Sequence, residues 1–168
     1  MYEESDNAQS VFNELTASAT SDDDESSEVE LLIGSTPKAD DKTVERELDE
    51  MLDDVRAALP TDDVDFEEDI VKENLDEILL MLISLRGETH GKELISDLTR
   101  LFDAQLSPGT VYPSLHQLEE EDVLKMHKKV RTKEYAIDDE REVRETVERT
   151  MVQHLAFGFL LYSFLPRL

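Results

Sequence analysis

A mainly α fold with a small β-hairpin, arranged as a winged helix-turn-helix with a long C-terminal dimerisation helix, is predicted for this chain of 168 residues by three features. Apolar residues at helical spacing mark two neighbouring helices, one rich in leucine and isoleucine over Ile78 to Leu85 and one carrying Leu94, Ile95, Leu98, Leu101 and Phe102. Ser107-Pro108-Gly109 then punctuates the entry to a third helix, in which Val111, Leu115 and Leu118 fall at i, i+4 and i+7. A basic, loosely alternating run follows and returns on itself before a last helix.

Residues 1–42 are rich in Asp, Glu, Ser, Thr and Ala and are read as a disordered acidic tail, because such a chain buries too little apolar area to offset its ordering entropy. Within it, Val29 to Ile33 is an apolar island ended by Gly34 and Pro37. From Thr43 the spacing of Val44, Leu48, Met51, Leu52, Val55 and Leu59 predicts an amphipathic helix, followed by a linker from Pro60 to Asp65. A helix of this length is marginal alone. It is expected to pack on the following domain, the alternative being a docking surface for another protein.

The domain proper is placed at 66–137. Phe66, Ile70, Val71, Leu75, Ile78, Leu79, Leu82 and Ile83 predict one long helix that stops at Gly87. Thr89 is the expected cap of the second helix, and Asp103 to Leu106 the turn into the third, which is expected to end near Asp122. Val123 to Val130 forms the first wing strand, Arg131 and Thr132 the tight connection, and Lys133, Tyr135 and Ile137 the returning strand. Residues 138–168 form the last helix. Its end, Leu155 to Leu165, is apolar all round and too short to span a bilayer. A homodimer interface through Val147, Met151, Leu155, Phe159, Leu160 and Phe164 is the economical reading, ahead of a membrane surface.

Charge is the strongest compositional signal: 42 acidic residues against 17 basic ones leave a net charge of -25. The excess is uneven. Residues 1–76 hold 26 acidic and 5 basic groups, and residues 77–168 hold 16 and 12, so the halves stand at -21 and -4. An acidic tail and a surface suited to molar salt both account for this. At about 1 M salt the Debye length falls to roughly 3 Å, so repulsion from nucleic-acid phosphates is largely screened and a local basic patch suffices. That patch is in the wing, where five Lys or Arg occupy positions 125–133.

Catalysis is disfavoured. There is no cysteine. His90, His116, His127 and His154 are far apart, without an HExxH-like pair, and neither G-x-S-x-G nor a phosphate-cradling glycine loop is present. No metal site or cofactor is expected, and His90, at a helix start, reads as a capping or packing residue. The N-terminus lacks the pattern of a signal peptide, and a cytoplasmic location is expected.

The third helix and wing carry the binding chemistry. Ser107, Thr110, Tyr112 and Ser114 place hydroxyls near a helix N-terminus, where phosphate is favoured. His116 and Gln117 are the expected base readers, and Lys128, Lys129, Arg131 and Lys133 the expected phosphate grip. Pro113 leaves two starts open: Ser107 as cap with Pro108 first, which puts Pro113 where an amide should bond to Gly109, or Thr110 as cap.

These residues also carry a family likeness. His90-Gly91, Leu106-Ser107-Pro108-Gly109-Thr110-Val111-Tyr112-Pro113, Leu115, Leu118-Glu119-Glu120-Glu121 and Lys133-Glu134-Tyr135 resemble the DNA-binding domain of the PadR family of winged-helix transcriptional regulators. The resemblance covers Ile78 to Ile137. It implies a homodimer on a palindromic operator of double-stranded DNA, usually as a repressor, with an effector left unnamed. The wing is shorter than the family's usual one, and residues 1–65 lie outside its core. The acid excess suggests a haloarchaeal source. The alternative is a protein-interaction module of the same fold, whose acidic arm mimics DNA or recruits a partner.

Overall fold

Side-chain cap bonds from Asp40, His90 and Asp139 start three of the helices, and Gly87 and Asp103, both at positive φ, end two. A computed structural model describes residues 38–59 and 64–168. Most of the tail, the apolar island and the middle of the linker lie outside the described residues.

Helix α1 spans Asp41–Ala58, capped by Asp40, whose carboxylate accepts the Thr43 amide at 2.9 Å. It therefore starts inside the stretch read as tail. Val44 and Leu48 are buried on the domain, while Met51, Val55 and Leu59 stay exposed, so the packing expected for the whole helix holds for its first half.

The single long helix expected from Phe66 is two helices, α2 (Glu68–Glu73) and α3 (Leu75–Arg86). Asn74 breaks them, at φ -118° and ψ 30°. Its backbone N–H makes the last regular bond of α2, to the Ile70 carbonyl, and its side-chain amide donates to the same oxygen, a local bond that favours ending the helix there. Leu79, Leu80, Leu82 and Ile83 are fully buried, so α3 is surrounded on most sides as its continuous apolar run predicts. It ends at Gly87, whose φ of 79° is the left-handed region that favours glycine.

Thr89 does not cap the next helix. It lies in a two-residue strand, β1 (Thr89–His90), too short to show a period. The cap is His90, whose Nδ1 accepts the Glu93 amide at 3.1 Å. Helix α4 (Gly91–Phe102) ends on Asp103 in the left-handed region. Helix α5 is Pro108–Glu120, and strands β2 (Leu124–Lys128) and β3 (Lys133–Ile137) pair antiparallel from Leu124↔Ile137 to Lys128↔Lys133. The sheet order is β1-β3-β2, with Thr89 opposite Tyr135. The wing strand ends at Lys128, two residues short of the expected Val130, and the connection is residues 129–132, closed by the Lys129 N–H donating to the Thr132 carbonyl at 2.8 Å.

The core gathers around α3, with Leu94, Leu98, Val111, Leu115 and Tyr135 facing it. Helix α6 (Glu140–Phe164), at 25 residues, is about 37 Å long. Val143 packs against the core and the Thr150 hydroxyl donates to Glu77 on α3 at 2.6 Å, but no residue of α6 is buried.

One polar cluster joins three helices. Arg86, 1% exposed, donates to both Asp97 oxygens at 2.6 Å, to Asp41 at 2.7 Å and to Glu93 at 3.3 Å. The bonds to Asp97 raise the guanidinium's affinity for its proton above the usual, against the cost of burial. Glu93 is pushed up by burial but held below its usual value overall by hydrogen bonds from Lys38 and Thr89 and by the Arg86 charge. The N-terminal α1 is thereby fastened to the end of α3 and the face of α4.

Candidate nucleic-acid interface

Helix α5 starts at Pro108 with Ser107 as its cap residue, and this decides the position of Pro113. The proline sits inside the helix and gives no amide to the Gly109 carbonyl. Both Gly109 and Pro113 are exposed, so water can satisfy that carbonyl and the usual cost falls. The Ser107 hydroxyl makes no cap bond to backbone; it lies 3.1 Å from the Thr110 hydroxyl.

The helix then sorts its residues. Val111, Leu115 and Leu118 are buried, whereas Thr110, Pro113, His116, Gln117 and Glu120 are exposed at i, i+3 and i+4 steps along one ridge. His116 Nδ1 is 3.5 Å from Glu119, and the Gln117 amide donates to Glu121 at 3.0 Å. Two of the expected contact residues are turned inward instead. The Tyr112 ring is half-buried against the first residue of α4, and Ser114 is half-buried beside Asp76 of α3, whose carboxyl is raised by burial while the Ser114 hydroxyl pulls against the shift. Both follow from the helix phase, because 112 and 114 flank the buried Val111 and Leu115 on the side of the neighbouring helices.

Gly91 permits that contact. A Cβ there would lie 2.6 Å from Tyr112 Cε1 and 2.8 Å from its hydroxyl oxygen. Gly91→Ala should therefore displace the ring and lower stability by about 1–3 kcal/mol, read from urea unfolding, with much less effect in a Tyr112→Ala background.

Electrostatics favour the start of α5 as an anion contact. In this acidic chain α1, α2, α3, α4 and α6 all carry Asp or Glu in the first turn, and α5 carries none. The positive end of its dipole is left unneutralised.

The wing divides its cations between two jobs. Lys129 pairs with Glu134 and reaches Glu88 at 3.7 Å, and His127 Nδ1 meets Glu88 at 2.9 Å. The His127 hydrogen bond lowers the Glu88 carboxyl, and the Glu134 bond raises Lys129. Lys129, expected on phosphate, is thus spent on fastening the wing to the segment before β1. Lys128, Arg131 and Lys133 are exposed and have no ion pair among the described residues. Lys92, exposed beside Gly91 in the first turn of α4, joins them as a candidate that no pattern singled out. Only its neighbourhood to Gly91 and Tyr112 gives it a place.

On α6, Val147, Met151, Leu160 and Phe164 are exposed, as are Val152, Phe157 and Leu161, while Leu155 and Phe159 are half-exposed. Among the described residues no group of three or more His, Asp or Glu is placed to hold a metal, and no described helix is long and apolar enough to cross a membrane.

Residues 79–143 match the sequence model of the Transcriptional regulator PadR-like family. Over 91 residues the chain is 43% identical to the transcriptional activator GvpE2 of Halobacterium salinarum, covering 54% of this chain and 47% of that one. Over 95 residues it is 43% identical to the transcriptional activator GvpE of Haloferax mediterranei, covering 56% of this chain and 49% of that one. The chain thus spans about half the length of the curated relatives it matches. A solved transcriptional regulator from Clostridium thermocellum aligns at a TM-score of 0.49 and 18% identity, over 59% of this chain and 97% of that one. The matched family model is described as one of transcriptional regulators, and the curated relatives are named transcriptional activators.

Proposed function

We propose that this chain, which carries a PadR-like domain over residues 79–143, regulates transcription in the cytoplasm by binding double-stranded DNA as a homodimer. The observation that carries the reading is the pairing of the exposed α5 ridge with three wing cations that have no ion pair among the described residues. Thr110 and Ser107 meet backbone phosphate at the start of α5, His116 and Gln117 face base edges, and Lys128, Arg131 and Lys133 grip phosphate beside it. The apolar end of α6 pairs two subunits and so sets the spacing of two recognition helices. The relatives' names carry activation, which favours a positive role over the repression expected from the resemblance.

Arg131→Ala should weaken binding to all DNA sequences and reduce the salt slope by about 1, whereas Gln117→Ala should cost about 1–3 kcal/mol at one base position and relax preference there. Gel-shift titrations at several salt concentrations, with a library of genomic fragments, separate the two. A full chain that retards no fragment at any salt would overturn the reading in favour of a protein-interaction module.

A further inference from the structure

We infer that the acidic segment 1–37 docks on the wing of its own domain and covers the cations that grip phosphate. The inference rests on the DNA-binding reading only for its consequence, since the docking itself is a matter of charge and attachment. Residues 1–37 contain ten Asp or Glu and no Lys or Arg, with six of the ten between Asp22 and Glu30.

Its point of attachment lies next to the interface. Lys38 bonds Glu93 in the first turn of α4 at 2.6 Å, and the Ala39 N–H donates to the Arg86 carbonyl at 3.1 Å. Gly87 and Glu88 follow Arg86 directly, and Glu88 is the residue that holds His127 and Lys129 of the wing. On the other side of the same turn, Gly91 touches Tyr112 of α5. Residue 38 is therefore held beside Arg86, two residues before the Glu88 that engages the wing.

Reach is ample. The run 22–30 is eight to sixteen residues before Lys38, a span of up to about 26–58 Å in extended chain. The wing strands, at five residues each, are about 17 Å long. Glu88 and Glu134 are already engaged by His127 and Lys129, which leaves Lys128, Arg131 and Lys133 exposed and without an ion pair among the described residues. The tethered polyanion pairs with them when DNA is absent, and DNA must displace it.

Displacement changes how binding responds to salt. Phosphates that shed their condensed cations on meeting unoccupied lysines give a steep salt dependence, while phosphates that must displace a tethered carboxylate give a shallower one, because the freed carboxylates take cations up again. The segment lowers affinity most in dilute salt and loses its hold as the Debye length shrinks.

The test uses the full chain beside a full chain bearing Asp22→Asn, Asp23→Asn, Asp24→Asn, Glu25→Gln, Glu28→Gln and Glu30→Gln together. Carbodiimide coupling without DNA, mapped by peptide mass spectrometry, should join carboxylates of residues 22–30 to Lys128 or Lys133 in the unsubstituted chain, and added DNA should suppress those products. The substituted chain should bind DNA about tenfold more tightly in dilute salt, as a competitor covering nine wings in ten requires, with a steeper salt slope. Absence of these cross-links, or equal affinity and slope for the two chains, overturns the inference. Cross-links formed by a chain that binds no DNA would uphold the docking and sink the DNA-binding reading instead.

Discussion

Arg86→Ala should lower the stability of the domain by about 3–5 kcal/mol, the cost of leaving a buried charge without its partner. Asp97 is 1% exposed and takes two hydrogen bonds from the guanidinium, so truncation of Arg86 strands a carboxylate that water does not reach. Arg100 also bonds Asp97, at 2.8 Å, and recovers only part of the loss because it comes from the helix surface. Lysine is a poor substitute, since one ammonium cannot reproduce the two parallel bonds and still reach Asp41 and Glu93. Arg86→Ala with Asp97→Ala should recover much of the stability, because no orphan charge then remains. Urea unfolding at constant salt, followed by far-ultraviolet circular dichroism, gives the comparison. A double variant no more stable than Arg86→Ala would place the role of the cluster in packing alone.

Ending the chain after Arg149 should give a monomer or an insoluble protein, and should cost about 10²–10⁴-fold in affinity for a two-half-site operator where the protein stays soluble. The deleted segment holds the exposed Phe157, Leu160, Leu161 and Phe164, and its Thr150 hydroxyl bonds Glu77 of the domain. The core, which ends at Val143, keeps all its members. Loss of affinity therefore reports lost pairing of two half-site contacts rather than unfolding. Light scattering gives the oligomeric state, and an intact dimer after truncation would move the interface elsewhere, with the exposed Met51, Val55 and Leu59 of α1 the next surface to test.

Much of this architecture is visible in one dimension. The i, i+4, i+7 pattern of Val111, Leu115 and Leu118 places these residues inside, and burial follows. The run Ile78 to Leu85 announces a central helix, and five cations in nine positions announce the wing. The break at Asn74 was not legible, because the apolar spacing continues through it and a single asparagine is tolerated on a helix surface as well as favoured at its end. Strand β1 was not legible either, since two residues have no period and exist as a strand only because Tyr135 and Glu134 lie opposite.

The binding face was half legible. Residue types near the start of α5 and along the wing marked a phosphate- and base-reading surface. Which of them are half-buried depended on the neighbouring helices, and two readings of Pro113 were equally consistent with the chain. Tyr112 and Ser114 have hydroxyls like those of Ser107 and Thr110, yet they serve the contacts with Gly91 and Asp76. Lys129 differs from Lys128 in nothing that composition can register; Glu134 across the hairpin and Glu88, forty-one residues earlier, make the difference.

The sequence by itself determined the elements that depend on near neighbours: helices by apolar period, turns by proline and glycine, and a basic wing in an acidic chain. Tertiary structure alone decided the start of α5, the engagement of Lys129 and His127 with Glu88, and the fastening of α1 through Arg86. The physical reason is range. Helix periodicity is written within a few residues, whereas the orientation of a side chain and the partner of a charge are set by groups brought together from distant positions, and an ion pair such as Arg86–Asp41, 45 residues apart, leaves no local trace.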